Sequence, residues 1–211
     1  MAAERLGAVI LCGGESRRMG RPKAWLPFGG QTLLEWMVDR VWLAMGEGPV
    51  VVVAAAGQEL PALPPGVVVT RDAVYGRGPL QGLAAGMAAL PTEIALVYAT
   101  AVDTPFLAPG WILGLVQQMA AAEVELVIPW VEGYRHPLAA LYRRSVVLPV
   151  METMLAAGQF RLSSLEESLR ARVLGPEILR GYDPELATLR NLNTPEEYER
   201  ALAEWPSSVL G

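Results

Sequence analysis

Short apolar runs alternate with longer stretches of helical periodicity through most of the chain. Residues 7–12 form one such run, Gly-Ala-Val-Ile-Leu-Cys, which is typical of a strand buried on both faces of a sheet. A turn at Glu132 and Gly133 precedes a run at 136–142 that we expect to form an edge strand. The remaining predicted strands are 49–56, 66–70, 93–102 and 125–129.

Helical patterns fill the intervals between these strands. In residues 32–45 apolar side chains recur at helical spacing, and Thr32 with Glu35 fits a capping box at the start. Thr194 and Pro195 predict the N-cap and first position of a last helix at 195–204. This strand–helix alternation predicts an open, mostly parallel α/β sheet with right-handed crossovers. The other predicted helices are 79–90, 109–122, 146–157 and 163–170.

Composition and charge argue against several classes of protein. Of the 211 residues, 52% are apolar and 18% are charged, which argues against disorder. The net charge of −5 argues against a nucleic-acid or membrane-surface binder, and no apolar run reaches the roughly 18 residues of a membrane span. One cysteine and one histidine argue against a disulfide, a cysteine-cluster zinc site or a histidine-based metal site. The first residues lack a signal-peptide pattern, so we expect a soluble cytoplasmic protein. The length of 211 residues predicts one domain at 1–211.

The loop after the first strand has the residues of a phosphate-binding segment. Gly13 and Gly14 allow close backbone approach to a ligand, and successive N–H groups in such a turn bind anions. These features predict a triphosphate ligand, and a glycine turn followed by a solvated basic run is the alternative. The loop lacks both the Gly-Lys-Ser/Thr of a Walker A motif and the Gly-x-Gly-x-x-Gly dinucleotide motif. Four cations follow within seven residues, namely Arg17, Arg18, Arg21 and Lys23.

Two later loops carry carboxylates at strand ends, where ligands of parallel sheets bind. Asp72 lies at the end of the third predicted strand. Glycines at 78, 82 and 86 then share one helix face, which favours either a ligand near the helix N-terminus or tight packing on the sheet. Asp103 directly follows the fourth predicted strand, where a rigidly held carboxylate suits Mg²⁺. A cap or a turn before Pro105 is the alternative for Asp103.

The segment Leu-x-Gly-Gly-x-Ser-x-Arg-Met-Gly-x-x-Lys at 11–23 resembles the signature loop of the nucleotidyltransferases related to MobA, the molybdenum cofactor guanylyltransferases. Three further segments match that family in the same order: Asp72 with Gly-Pro-Leu-Gln-Gly at 78–82, Asp-Thr-Pro-Phe at 103–106, and Asn-Leu-Asn-Thr-Pro-Glu at 191–196. The resemblance runs from about Leu6 to Ala203. It implies a three-layer, Rossmann-like, mostly parallel sheet with an antiparallel edge strand, similar to nucleotide-diphospho-sugar transferases.

The resemblance also implies roles for particular residues. Lys23, Asp103 and Arg17 would be catalytic, and Asp103 would bind Mg²⁺ as cofactor. His136, in a segment similar to the family's His-or-Gln-Pro-Leu, would touch a pterin substrate, and a structural role is the alternative for this lone histidine. The nucleotide would be bound by Leu11, Cys12, Gly13, Gly14, Lys23, Asp72, Gly78, Asp103, Asn191 and Asn193.

The implied reaction is nucleotidyl transfer, in which the terminal phosphate of molybdopterin attacks the α-phosphate of GTP and pyrophosphate leaves. GTP and molybdopterin are then the expected partners, together with molybdoenzymes or their chaperones as docking partners. No nucleic acid or membrane partner is expected.

Base choice stays open at this point. Residues 53–57 lack the Asn that guanylyltransferases often carry after the second strand, whereas Cys12-Gly13-Gly14 and the Asn-x-Asn-Thr-Pro segment are typical of the guanylyl type. A molybdenum cofactor cytidylyltransferase, or another small-molecule nucleotidyltransferase of this fold, is the alternative. A different class of protein, a non-catalytic nucleotide-binding adaptor, is a further hypothesis, since fold alone does not prove activity.

Overall fold

The computed structural model describes residues 4–13, 19, 21–72 and 78–204, and an eight-stranded sheet forms its centre. The strands are β1 (Leu6–Leu11), the small hairpin of β2 (Pro27–Phe28) and β3 (Gln31–Thr32), β4 (Val50–Ala55), β5 (Val67–Asp72), β6 (Leu96–Ala101), β7 (Leu126–Val131), β8 (Tyr134–Arg135), β9 (Ala139–Arg143) and β10 (Ala171–Leu174). The order across the large sheet is β10-β7-β9-β6-β1-β4-β5, with β8 paired to β7.

Most neighbours in this sheet run parallel. β1 is parallel to both β4 and β6, β5 is parallel to β4, and β10 is parallel to β7. β9 is antiparallel to β6 and β7, and the two-residue β8 is antiparallel to β7. The prediction of a mostly parallel α/β sheet that includes an antiparallel strand is therefore confirmed.

The predicted position of the strand at 136–142 is wrong. This strand is β9, and it lies inside the sheet between β6 and β7 instead of at the edge. Its first four residues are at most 3% exposed, because an interior strand is covered on both faces. The edge beyond β7 is formed by β10. This strand has only four residues, Ala-Arg-Val-Leu, and it includes a charged side chain, so the sequence pattern does not reveal it.

Helices cover both faces of the sheet. At the start of the first α-helix, α1 (Leu33–Met45), Thr32 Oγ1 accepts a hydrogen bond from the Glu35 N–H at 3.3 Å, and the Glu35 carboxylate accepts one from the Thr32 N–H at 2.9 Å. The predicted capping box is confirmed, whereas the helix predicted at 163–170 is a 3₁₀ helix at Leu162–Ser168. The α-helices are α1 (Leu33–Met45), α2 (Gly78–Ala89), α3 (Trp111–Ala120), α4 (Arg144–Ala156), α5 (Pro176–Leu179) and α6 (Pro195–Glu204).

Alternating side chains of β1 divide the core into two layers of packing. Ala8 and Ile10 join an apolar cluster with α1 and α3, and Val9 and Leu11 join a second cluster with α2 and α4. The sheet is therefore the middle of three layers. In the described part of the chain, no helix combines the length and the apolar character that crossing a membrane requires.

Helix α2 approaches the sheet through its glycines. A methyl group on Gly86 would lie 2.8 Å from Val53 Cγ2 and would also overlap Val9, whereas a methyl group on Gly82 would meet nothing closer than Leu11 Cδ2 at 3.4 Å. Tight packing, one of the two interpretations of this glycine face, therefore applies to Gly86. It brings the start of α2 close to the carboxyl ends of β1 and β4.

We expect Gly86→Ala to lower the free energy of unfolding by about 1–2 kcal/mol, because overpacking outweighs the roughly 1 kcal/mol that alanine gains over glycine in a helix. Gly82→Ala, in the same helix, is the matched control and should be neutral or slightly stabilising. Urea unfolding followed by circular dichroism measures both variants. Equal stability of the two would contradict the packing argument.

Candidate active site

A cleft of about 900 Å³ opens at the carboxyl ends of β1, β4, β5 and β6, where parallel sheets bind their ligands. Its walls come from both halves of the chain, and they include residues 135–139, which lead into β9. Gly14 and Arg17, two of the predicted site residues, lie outside the described residues. The cleft is lined by eight others: Leu11, Cys12, Gly13, Lys23, Asp72, Gly78, Asp103 and Asn191.

Lys23 is the only lysine among the 17 basic side chains of the sequence. Its Nζ lies 2.7 Å from Asp103 Oδ2 and 3.2 Å from Asn193 Oδ1. The side chains of Lys23 and Asp103 are 16% and 19% exposed, so water and salt screen this ion pair less than a surface pair. The fold thereby joins three predicted site residues that are far apart in the sequence.

Backbone hydrogen bonds fix the position of Asp103. The Val102 N–H donates to the Leu11 carbonyl at 3.0 Å, which continues the pairing of β1 and β6 beyond the end of β6. The Asp103 carbonyl accepts the Leu192 N–H at 2.8 Å. The carboxylate therefore projects from fixed backbone at the end of a buried strand, as a ligand-binding group should.

The segment before α6 supplies two asparagines. Leu192 is buried, and Asn191 and Asn193 flank it in the sequence; Asn191 lines the cleft and Asn193 contacts Lys23. The Glu197 carboxylate accepts the Asn193 N–H at 2.6 Å, and Thr194 Oγ1 accepts the Glu197 N–H at 3.2 Å. Thr194 thus caps α6 as predicted, which leaves the Asn191 side chain to the cleft and the Asn193 side chain to Lys23.

The beginning of the loop after β1 is pressed against β4. The N–H groups of Cys12 and Gly13 both donate to the Val53 carbonyl, at 2.8 and 3.1 Å. A Cβ on Gly13 would lie 3.1 Å from the Ala55 nitrogen, so this close approach requires glycine. Burial raises the pKa of the Cys12 thiol to about 12, so the thiol is protonated at neutral pH and is not a nucleophile.

Asp72 and Gly78 stand on the side of the cleft formed by β5 and α2. Asp72 is the last residue of β5, and Gly78 is the first residue of α2 with a φ of +72°, a backbone conformation that favours glycine. Both residues line the cleft, one at each end of a loop whose residues 73–77 lie outside the described residues. Their contacts with a nucleotide stay a prediction.

His136 lines the cleft from the segment before β9. The backbone N–H of His136 donates to the Pro129 carbonyl at 3.0 Å, and the Tyr142 hydroxyl donates to the Pro137 carbonyl at 2.7 Å. These two bonds hold the backbone of the segment in place. Burial lowers the pKa of His136 below its ordinary value, which favours a neutral imidazole at neutral pH. The side chain can therefore form hydrogen bonds with a substrate without adding charge to the cleft.

Sequence reasoning missed Gln58, whose side-chain amide joins the segments that follow β1 and β4. No motif marks this residue. Its one signal in the sequence is its position shortly after a predicted buried strand, at the edge of the sheet where ligands bind.

The donor set in the cleft fits a hard cation that brings its own ligands. Within the described residues, no three His, Cys, Asp or Glu side chains lie close enough together to hold a metal ion. Asp103 would therefore need water, asparagine oxygens or phosphate oxygens to complete a coordination sphere. Mg²⁺ is commonly bound in this way, by one or two carboxylates and substrate phosphates.

Known proteins match the chain over most of its length. The family profile of the MobA-like NTP transferase domain matches residues 8–173. A probable molybdenum cofactor guanylyltransferase from Mycobacterium tuberculosis (strain ATCC 25618 / H37Rv) is 42% identical over 166 residues, which are 77% of this chain and 80% of that protein. One from Mycobacterium avium (strain 104) is 37% identical over 203 residues, 95% of this chain and 96% of that protein.

Solved structures share the fold. Molybdopterin-guanine dinucleotide biosynthesis protein A from Archaeoglobus fulgidus superposes with a TM-score of 0.74 and 24% identity, covering 93% of this chain and 97% of that one. Rv0371c from Mycobacterium tuberculosis H37Rv, in complex with manganese, superposes with a TM-score of 0.61 and 17% identity, covering 95% and 100%. The profile match over more than half of its residues and the mycobacterial relatives show that the chain belongs to the family of MobA-like NTP transferase domains.

Proposed function

We propose that the protein transfers GMP from GTP to the terminal phosphate of molybdopterin and releases pyrophosphate. The cluster of Lys23, Asp103 and Asn193 carries this proposal, because it places an ammonium group and a carboxylate beside the loop predicted to hold a triphosphate. The names of the mycobacterial relatives support both the base and the acceptor.

This reaction requires alignment and charge neutralisation instead of a general base. The attacking oxygen belongs to a phosphate that is already an anion at neutral pH, and it forms a bond to the α-phosphorus of GTP. The bond from that phosphorus to the bridging oxygen breaks, and pyrophosphate leaves with the electron pair. Lys23 would stabilise the negative charge on the reacting phosphates. The protonated thiol of Cys12 and the neutral His136 agree with a site that needs no nucleophile of its own.

We further propose Mg²⁺ as the cofactor, with Asp103 as its protein ligand. A carboxylate in a cleft that Asn191 also lines, with Asn193 bonded to the same ammonium group, leaves positions for water and phosphate, as Mg²⁺ prefers. When bound, the ion supplies Lewis-acid stabilisation of phosphoryl oxygens. The manganese complex of the structural neighbour supports the use of a divalent cation in this fold.

Metal binding should depend on the nucleotide. In the nucleotide-free protein Lys23 neutralises Asp103, so we expect Mn²⁺, a spectroscopic substitute for Mg²⁺, to bind at least about tenfold more weakly than in the presence of a non-hydrolysable GTP analogue. Electron paramagnetic resonance of free Mn²⁺ measures both affinities, after subtraction of binding to the analogue alone. Equal affinity with and without the analogue would show that the protein holds the metal by itself.

Calorimetry with GTP, CTP, ATP and UTP in the presence of Mg²⁺ tests the base. We expect a clear preference for GTP, followed by pyrophosphate release from GTP when the pterin is added. A preference for CTP would replace the guanylyl reaction by the cytidylyl alternative without changing the proposed roles of Lys23 and Asp103. Nucleotide binding without pyrophosphate release would favour the adaptor.

We also propose that residues 1–211 act as one nucleotidyltransferase domain and that the reaction takes place in the cytoplasm. Docking to molybdoenzymes or their chaperones, which would receive the product, stays a prediction.

A further inference from the structure

The side-chain amide of Gln58 links the chain that leaves β1 to the chain that leaves β4. Its Oε1 accepts the Ala55 N–H at 2.9 Å, and its Nε2 donates to the Cys12 carbonyl at 3.1 Å. Because both partners are backbone groups of fixed polarity, they define which end of the amide is which. Cys12 and Ala55 line the cleft, so this bridge borders it directly.

Two neighbouring side chains anchor the same short segment. The Arg71 Nη1 donates to the carbonyls of Ala55 and Gln58, at 3.1 and 2.8 Å, and the Trp25 Nε1 donates to the Glu59 carbonyl at 3.1 Å. Arg71 directly precedes Asp72, and Trp25 follows shortly after Lys23. Residues 55–59 are thus hydrogen-bonded to three parts of the chain that carry proposed nucleotide-binding residues.

The bridge of Gln58 lies just beyond the end of the pairing between β1 and β4. The parallel pairing of β1 and β4 ends at Leu11 and Val53, and the Val53 carbonyl already holds the N–H groups of Cys12 and Gly13. Gln58 adds a bond to the Cys12 carbonyl, on the loop side of this pairing. Its effect therefore falls on the conformation of the loop and not on the register of the strands.

We propose that Gln58 is a positioning residue for the nucleotide: its amide holds the backbone of Cys12 and Gly13 in the conformation that receives the ligand. The inference rests on the proposed function, because it takes the cleft to be the GTP site. A ligand that packs against Cys12 and Gly13 in the cleft requires this part of the loop to be in place before it arrives, since ordering the loop on binding weakens affinity. Loss of the bridge should therefore weaken GTP binding more than it slows the transfer step.

The test compares Gln58→Met with Glu59→Ala in the complete protein. Methionine keeps the length of the side chain and removes both hydrogen bonds, whereas the exposed Glu59 takes part in the segment only through its carbonyl. We expect Gln58→Met to raise the Kd and the KM for GTP at least about tenfold, with kcat changed less than about threefold. Glu59→Ala should leave all three constants as in the unsubstituted protein.

The reactivity of Cys12 gives a second readout that needs no nucleotide. The sequence has one cysteine, its thiol is buried, and the Gln58 Nε2 lies 3.6 Å from its sulfur. A small disulfide reagent therefore reports on Cys12 alone. Burial raises the pKa of the thiol and the Gln58 hydrogen bond lowers it, so loss of that bond by itself would slow the reaction, and a faster reaction reports opening of the loop around the sulfur. We expect the reagent to react at least about tenfold faster in Gln58→Met than in Glu59→Ala. Should Gln58→Met fail to fold, Gln58→Asn serves instead, because its shorter amide cannot reach both backbone partners.

Different results refute the positioning role and the proposed function. Unchanged Kd and KM in a folded Gln58→Met protein would overturn the positioning role, even if its thermal midpoint fell, because a purely structural residue predicts that outcome. An unsubstituted protein that binds no nucleotide would overturn the proposed function. In that case the Cys12 rates still decide whether Gln58 holds the loop, and equal rates in the two variants would refute it.

Discussion

Asp103→Ala is expected to abolish metal-dependent GMP transfer and to leave the fold intact. We expect kcat to fall at least about 10³-fold, because the substitution removes the carboxylate proposed to hold the cation and the partner of Lys23. The backbone carbonyl of residue 103, which accepts the Leu192 N–H, is not affected. Pyrophosphate release with saturating GTP and pterin measures the loss, and circular dichroism checks the fold.

Two companion variants make this result specific. Asp103→Asn keeps an acceptor for the Lys23 ammonium and removes the negative charge, so we expect it to be nearly as inactive as Asp103→Ala. Asp39→Ala removes an exposed carboxylate on α1, which accepts a hydrogen bond from the Gln31 amide at 3.0 Å, and should be fully active. Near-normal activity in Asp103→Ala would refute the metal assignment, and high activity in Asp103→Asn would show that a hydrogen bond to Lys23 suffices.

Lys23→Met should have the second largest effect. We expect kcat/KM for GTP to fall by about 10²–10³-fold, because no ammonium then faces the reacting phosphates. Lys23→Arg should recover only part of the activity, since a planar guanidinium is larger than the compact ammonium that fits between Asp103 and Asn193. Arg200→Met, which removes an exposed cation on α6, is the control for net charge.

Metal binding provides an independent check on Lys23. Without its ammonium, Asp103 has a full negative charge, so nucleotide-free Lys23→Met should bind Mn²⁺ more tightly than the unsubstituted protein. Weaker binding would mean that Lys23 helps to organise the cation site instead of competing with the cation. Wild-type turnover by Lys23→Met would remove the lysine from the mechanism altogether.

Local rules were sufficient wherever the determining contacts are close in the sequence. The capping boxes at Thr32 and Thr194 join residues three positions apart, so their patterns are visible in the chain itself. Asp72 and Asp103 could be placed at one edge of the sheet because the carboxyl ends of parallel strands meet there. The glycine face of α2 was visible as well. The sequence did not show whether these glycines serve ligand binding or tight packing on the sheet.

Long-range contacts explain what the sequence could not predict. An apolar run as short as β9 is compatible with an interior or an edge position, and only the packing of its neighbours β6 and β7 makes it interior. Gln58 belongs to no motif, and its role depends on where the backbone of Cys12 lies. The same holds for β10, which pairs with β7 across a long separation in the sequence.

By itself the sequence determined the α/β class, the loops that line the cleft and the family, because periodicity and short motifs depend on neighbouring residues. The tertiary structure alone decided that Lys23 lies between Asp103 and Asn193, at sequence separations of 80 and 170 residues. Those contacts form only when the sheet and the segment before α6 close on one another. Their geometry is a property of the complete fold, since no local preference of the chain specifies a distance between such remote residues.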